Sequence, residues 1–163
     1  MTVMGVISAV FYAVAHHPML LMLGLVLVSG AFAAYRAGKG DLAALALPIS
    51  VFVLGMLNVF CGQWLNAAFL NWAGTQGTGV IIDARETSST LNEQPIWRYD
   101  VAVQTADGRD VTTDFTTMSA TIWPIRNEIL IPPQGQGFVV KYVPSFERNI
   151  VILSDQSDYG KRR

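Results

Sequence analysis

Positions 1–35 hold no Asp, Glu, Lys or Arg, and neither do positions 42–72, so two uncharged apolar runs flank the short segment Tyr35-Arg-Ala-Gly-Lys-Gly-Asp41. A bilayer core of about 30 Å asks for about 20 helical residues, and lipid leaves unpaired backbone groups unsatisfied, so helices are the form such runs take. The pattern predicts a membrane α-helical hairpin over 18–74 with its loop at 35–41. Pro18, after His16-His17, divides the first run, because proline removes a helical donor and bends the axis. Met19–Tyr35 is then the first span. Val3–Ala15, within an N-terminal segment 1–17, is a helix that lies at the interface or continues kinked along the same axis. A cleaved leader ending near Ala31-Phe-Ala33 fits less well, since no Lys or Arg precedes the apolar core. An unbroken helix over 42–72 outruns the hydrocarbon layer. Leu45–Trp64 is therefore the expected second span, and the last turns rise toward water with Asn66 and Asn71. Trp64 and Trp72 suit the headgroup region.

After Trp72 the period changes to two. The cluster Gly74-Thr-Gln-Gly77-Thr-Gly79 reads as a hinge: it lacks the Lys-Ser/Thr of a phosphate loop and leaves a helix to enter a strand. Val80, Ile82 and Ala84 share one face of Gly79–Arg85, and Trp97, Tyr99, Val101 and Val103 share one face of Ile96–Gln104. Asp107-Gly108 predicts a tight hairpin, with Val111, Thr113 and Phe115 alternating on the return strand. Phe138–Val143 is a strand stopped by Pro144, and Asn149–Leu153 is a short apolar run. Five short strands in 75–153 without a helix predict an all-β domain, a small five-stranded β-barrel of SH3 or OB type, since closure removes exposed edges. Residues 154–163 form a polar tail expected to be loose.

Charge sharpens the division. The 163 residues include 11 Lys and Arg and 12 Asp and Glu, yet only Arg36, Lys39 and Asp41 precede residue 75. One half suits lipid, the other water. A net charge of -1 provides no basic face to displace counterions from phosphates, which excludes nucleic acid as a partner. Arg36 and Lys39 lie between the spans, so the positive-inside bias puts that loop in the cytoplasm and the C-terminal domain on the other side. In a bacterial inner membrane that side is the periplasm. Ser29 with Ala33, and Gly30 with Ala34, are spaced for close helix approach, either within the hairpin or in a homo-oligomer. Asn58 and Gln63 mark the associating helix face, because lipid would leave their amides without partners.

No residue set names a reaction. Cys61 is the single cysteine and lies in the second span, while the β-domain has no histidine, so neither a Cys-His nor a Ser-His-Asp set falls within one domain. His16 and His17 are adjacent and point about 100° apart on a helix, which prevents them from sharing an ion. Asp107, Asp110 and Asp114, even with Glu86 or Glu93, lack the oxygen ladder of a calcium loop and read as the wet face of a hairpin. The expectation is a protein that is not an enzyme, with no catalytic residue, cofactor or metal. The polar connection 86–95 is expected to be mobile. The connection 116–128 presents Met118, Ile122, Trp123 and Ile125, a contact set for a protein partner. The competing reading folds Trp123 back to plug one end of the barrel.

Gly77-Thr-Gly-Val80 opening a strand, Tyr99 with Val101, Asp107-Gly108, then Gly137-Phe-Val-Val-Lys-Tyr142-Val-Pro144 and a closing apolar strand resemble the uncharacterised membrane family called domain of unknown function 3592, over about 77–153. The resemblance implies a small β-domain attached to membrane helices and no assigned chemistry. The function expected is binding or scaffolding within an inner-membrane complex, with lipid and a protein as partners. Two rivals stand beside it: an immunity protein that neutralises a toxin at the membrane or in the periplasm, and an accessory subunit of a membrane enzyme or transporter.

Overall fold

The computed structural model describes residues 2–126 and 130–160. Three helices come first, α1 (Val3–His16), α2 (Pro18–Ala37) and α3 (Ala46–Ala73), with a 3-10 turn at Leu42–Leu45. Six strands follow: β1 (Thr75–Leu91), β2 (Gln94–Gln104), β3 (Asp110–Thr116), β4 (Ile122–Trp123), β5 (Gly137–Val143) and β6 (Phe146–Leu153). The chain divides into two compact units, Phe11–Gly62 on the one hand and Met1–Val10 with Gln63–Arg163 on the other.

In the helical unit, Pro18 opens α2 in its first turn, where its missing N–H costs nothing, and His17 is the break between α1 and α2. Pro48 likewise occupies the first turn of α3. The turn between the two long helices is closed by the Arg36–Asp41 ion pair at 2.6 Å, with Lys39 over the Tyr35 ring at 4.5 Å and Gly40 at φ +88. A side chain at Gly55 would run into Met22 of α2, so glycine there permits the approach of the two helices. Pro18–Ala37 and Leu42–Ala73 are long and apolar enough to cross a membrane. Their large side chains are mostly uncovered, Leu20, Val28, Leu54 and Phe60 among them.

The sheet unit is built on a mixed six-stranded sheet of order β3-β2-β1-β5-β6-β4, antiparallel except that β4 runs parallel to β6. Ile81, Val101, Val103, Phe115, Phe138, Val140, Tyr142, Ile150 and Ile152 form one core. The opposite face of β5 and β6 forms a second, in which Val143, Val151 and Leu153 meet Ala67 and Leu70 of α3, with Met4 of α1 and Trp123 alongside. The run Ile150–Leu153 is continuously apolar because both faces of β6 are covered, as in strands buried on two sides. Thr2 caps α1, its Oγ1 accepting from Gly5 N at 3.2 Å, and shares a 2.6 Å hydrogen bond with Ser145. The first turns of α1 and the last turns of α3 thus belong to the sheet unit.

Three expectations are corrected here. The sheet has six strands and does not close into a barrel: β3 approaches β6, but the seam is held by side chains, with Thr113 Oγ1 donating to Arg148 O at 2.7 Å and Arg109 paired with Glu147. No ladder bonds join the two strands. The glycine cluster is no hinge. Gly77 and Gly79 pair with Val140 and Phe138 inside β1, and a Cβ on Gly79 would lie 2.7 Å from the Phe138 ring, so glycine admits an aromatic ring close to the backbone. The segment 86–95 continues the β1–β2 pairing as a two-stranded ribbon, turned by Asn92 and Glu93 at φ 51 and 65.

The tail also differs from a loose one as far as Gly160. Ser157 Oγ donates to Leu153 O at 2.7 Å and accepts from Val139 N at 2.9 Å, and Tyr159 packs on the first core. Lys161, Arg162 and Arg163 lie outside the described residues.

Candidate functional site

The connection that follows β3 begins with a turn in which Thr116 N donates to Ser119 Oγ at 2.8 Å. Met118 sits at the tip of this turn and is half exposed, while its carbonyl accepts from the Gln63 side chain. Gln63, expected to join helix to helix, instead joins α3 to this loop. The chain then enters β4, where alternation sends Ile122 to the first core and Trp123 to the second. Trp123 therefore packs beside Ala67, Leu70 and Val143; with no closed barrel there is no end to plug. Ile125, two residues on, is 42% exposed.

The expected contact set is thereby split. Ile122 and Trp123 support the loop from beneath, and Met118 and Ile125 reach the surface in different places. Met118 lies with Leu91, Pro95, Ile96 and Thr117 around a hollow beside the turn end of the ribbon. Trp97 O accepts from Thr117 N at 2.9 Å, which ties the turn after β3 to β2. Ile125 lies with Gln63, Trp64, Ile122, Pro124 and Arg126 around a groove beside α3.

The sheet unit also contains a buried polar cluster that sequence reasoning missed. Asn66 and Asn149 exchange reciprocal amide hydrogen bonds at 2.9 Å, and Asn149 Nδ2 also donates to Ser8 O and Ser8 Oγ at 3.1 Å. Thr121 Oγ1 accepts from Asn66 Nδ2 at 3.4 Å. Ser8 and Asn66 have no exposed surface, and Asn149 retains 1%. The cluster ties α1, α3, the approach to β4 and β6 together with its donors and acceptors matched, as a buried amide requires. Asn66, one of several amides in the second half of α3, was the visible signal, but its three partners are remote in sequence. Lys141 Nζ supplies a further tie, donating to Asn71 O and, at 3.2 Å, to Asn71 Oδ1 at the end of α3, where a cation complements the helix dipole.

In the helical unit the two small-residue pairs part company. Ser29 and Ala33 are buried, with Ser29 Oγ donating to Val26 O at 3.1 Å. Ala34 is exposed, and a Cβ on Gly30 would meet nothing within 4 Å. Asn58 Nδ2 donates to Val14 O at 3.0 Å, so its amide joins α3 to α1. Arg36 and Lys39 stand in the turn described above.

Several charges on the sheet meet opposite charges. Arg98 meets Asp114 and Arg85 meets Asp100, each at 3.0 Å. Asp107 accepts from Thr105 Oγ1 at 2.6 Å and from Arg109 Nε at 2.7 Å, and those bonds, Thr105 first, hold its carboxyl below the usual range. The Arg109 guanidinium is pushed further up by Asp107 and then Glu147. Burial raises the Tyr159 phenol to about 12. Among the described residues no group of three or more His, Cys, Asp or Glu stands where it could hold a metal ion. Comparison with protein-family models, curated proteins and solved structures gives no match.

Proposed function

We propose that this chain is a membrane-anchored binding protein, whose two apolar helices lie in a bilayer and whose sheet unit receives a protein partner in an inner-membrane complex. The observation that carries the reading is the length and uncovered apolar surface of α2 and α3, which in water would cost about 25 cal/mol for each Å² left wet. The turn with Arg36 and Lys39 faces the cytoplasm in this reading, and the sheet unit faces the periplasm. Partner contact is assigned to the hollow of Leu91, Pro95, Ile96 and Met118. These apolar side chains stand near the turn end of an otherwise polar ribbon, and they are not used by either core.

The test is site-specific photo-crosslinking in the native membrane. A crosslinker at Met118 should capture one discrete partner, and one at exposed Thr112 on β3 should not. Equal capture at both sites, or none at Met118, would remove the assignment. Two substitutions separate contact from folding. Met118→Ser should lower partner recovery with little change in thermal stability, as surface changes do. Trp123→Ala should instead destabilise the unit by about 3 kcal/mol, the scale for truncating a large aromatic within a core.

A further inference from the structure

We infer that the groove between Gln63–Trp64 and Pro124–Arg126 holds the phosphate headgroup of an anionic phospholipid, an assignment that rests on the membrane reading above. Trp64 is 55% exposed and Ile125 42%, and they face the groove over a floor that includes Ile122 and Pro124. Gln63 is already committed to Met118 O, which fixes the groove's helix side against the β4 loop. Arg126 is exposed at the rim and has no ion pair among the described residues.

A guanidinium presents paired N–H groups that match two phosphate oxygens. Trp64 sets the depth. It ends the stretch Leu45–Trp64 expected to cross the bilayer, and amphipathic indole rings settle at the headgroup level. Apolar walls, a guanidinium without an ion pair among the described residues and an indole ring at that depth fit the glycerol-phosphate region of a lipid. A water-soluble acidic peptide would use the cation but not the depth. One arginine near an anionic surface corresponds to about a fivefold preference for anionic over zwitterionic lipid.

The test uses the full chain in nanodiscs of phosphatidylglycerol and phosphatidylcholine, with bromines on the acyl chains of one lipid class at a time. The Trp64 contribution is the fluorescence difference between the wild type and Trp64→Phe. Stronger quenching when phosphatidylglycerol carries the bromine, reduced to no preference in Arg126→Gln, supports the assignment. Equal quenching by both lipids, or a preference that survives Arg126→Gln, overturns it while leaving the membrane reading intact; a peptide occupant gives this result. No quenching by either lipid overturns both, because Trp64 is then away from the bilayer.

Discussion

Asn66 and Asn149 each satisfy the other's amide, so removing one leaves its partner buried and short of a hydrogen bond. Asn66→Leu should cost about 1–3 kcal/mol for that reason. The pair Asn66→Leu with Asn149→Leu should fall well short of the two single costs added, because apolar replacement of both members orphans neither amide. Thermal unfolding of the four proteins closes the cycle, and strict additivity would show that the reciprocal bonds carry no coupling. Asp107 argues differently, being exposed. Its carboxyl is held low by Thr105 and Arg109, so the folded state favours the ionised form. That contribution is complete above the ordinary value of 3.8 and is lost as pH falls through the lowered folded value. Thr105→Val should therefore flatten the acid limb of the stability profile below about pH 4. An unchanged acid limb counts against the role given to the Thr105 hydroxyl.

Among the elements, the ribbon at the end of β1 and β2 departs furthest from expectation. Its Thr-Ser-Ser-Thr stretch has the polarity of a loop, yet the strands stay paired to Leu91 and Gln94. Asn92 and Glu93 both adopt positive φ, as the favoured two-residue hairpin turn demands. Asn accepts that backbone region easily and Glu does not, at a cost of about 1 kcal/mol. Glu93→Gly should recover about that much, read as slower hydrogen exchange in the ribbon amides. Exchange that stays the same or quickens would mean that the turn is not held in this form. The Asp107-Gly108 hairpin and the stop at Pro144 were legible because their turn chemistry is local. The glycines of β1 were not, since only Phe138 and Tyr142, some 60 residues away, reveal why they are small.

At the scale of the whole molecule, Arg36 and Lys39 are the only Lys or Arg before Arg85, and the proposed orientation rests on them. Arg36→Glu with Lys39→Glu should scramble the orientation of the hairpin, measured by the activity of a C-terminal reporter fusion on each side of the membrane. A reporter whose side does not change would show that these two charges do not set it. By itself the sequence determined the apolar helical half, its break at Pro18, its turn at 35–41 and the strand-forming half, because uncharged length and hydrophobic period are properties of neighbouring residues. Only the tertiary structure decided that the sheet stays open, that Ile122 and Trp123 turn inward while Met118 and Ile125 reach the surface, and that Asn66 finds Asn149, Ser8 and Thr121. Strand order and polar satisfaction depend on partners far apart in the chain, and local periodicity carries no record of which distant residue will supply them.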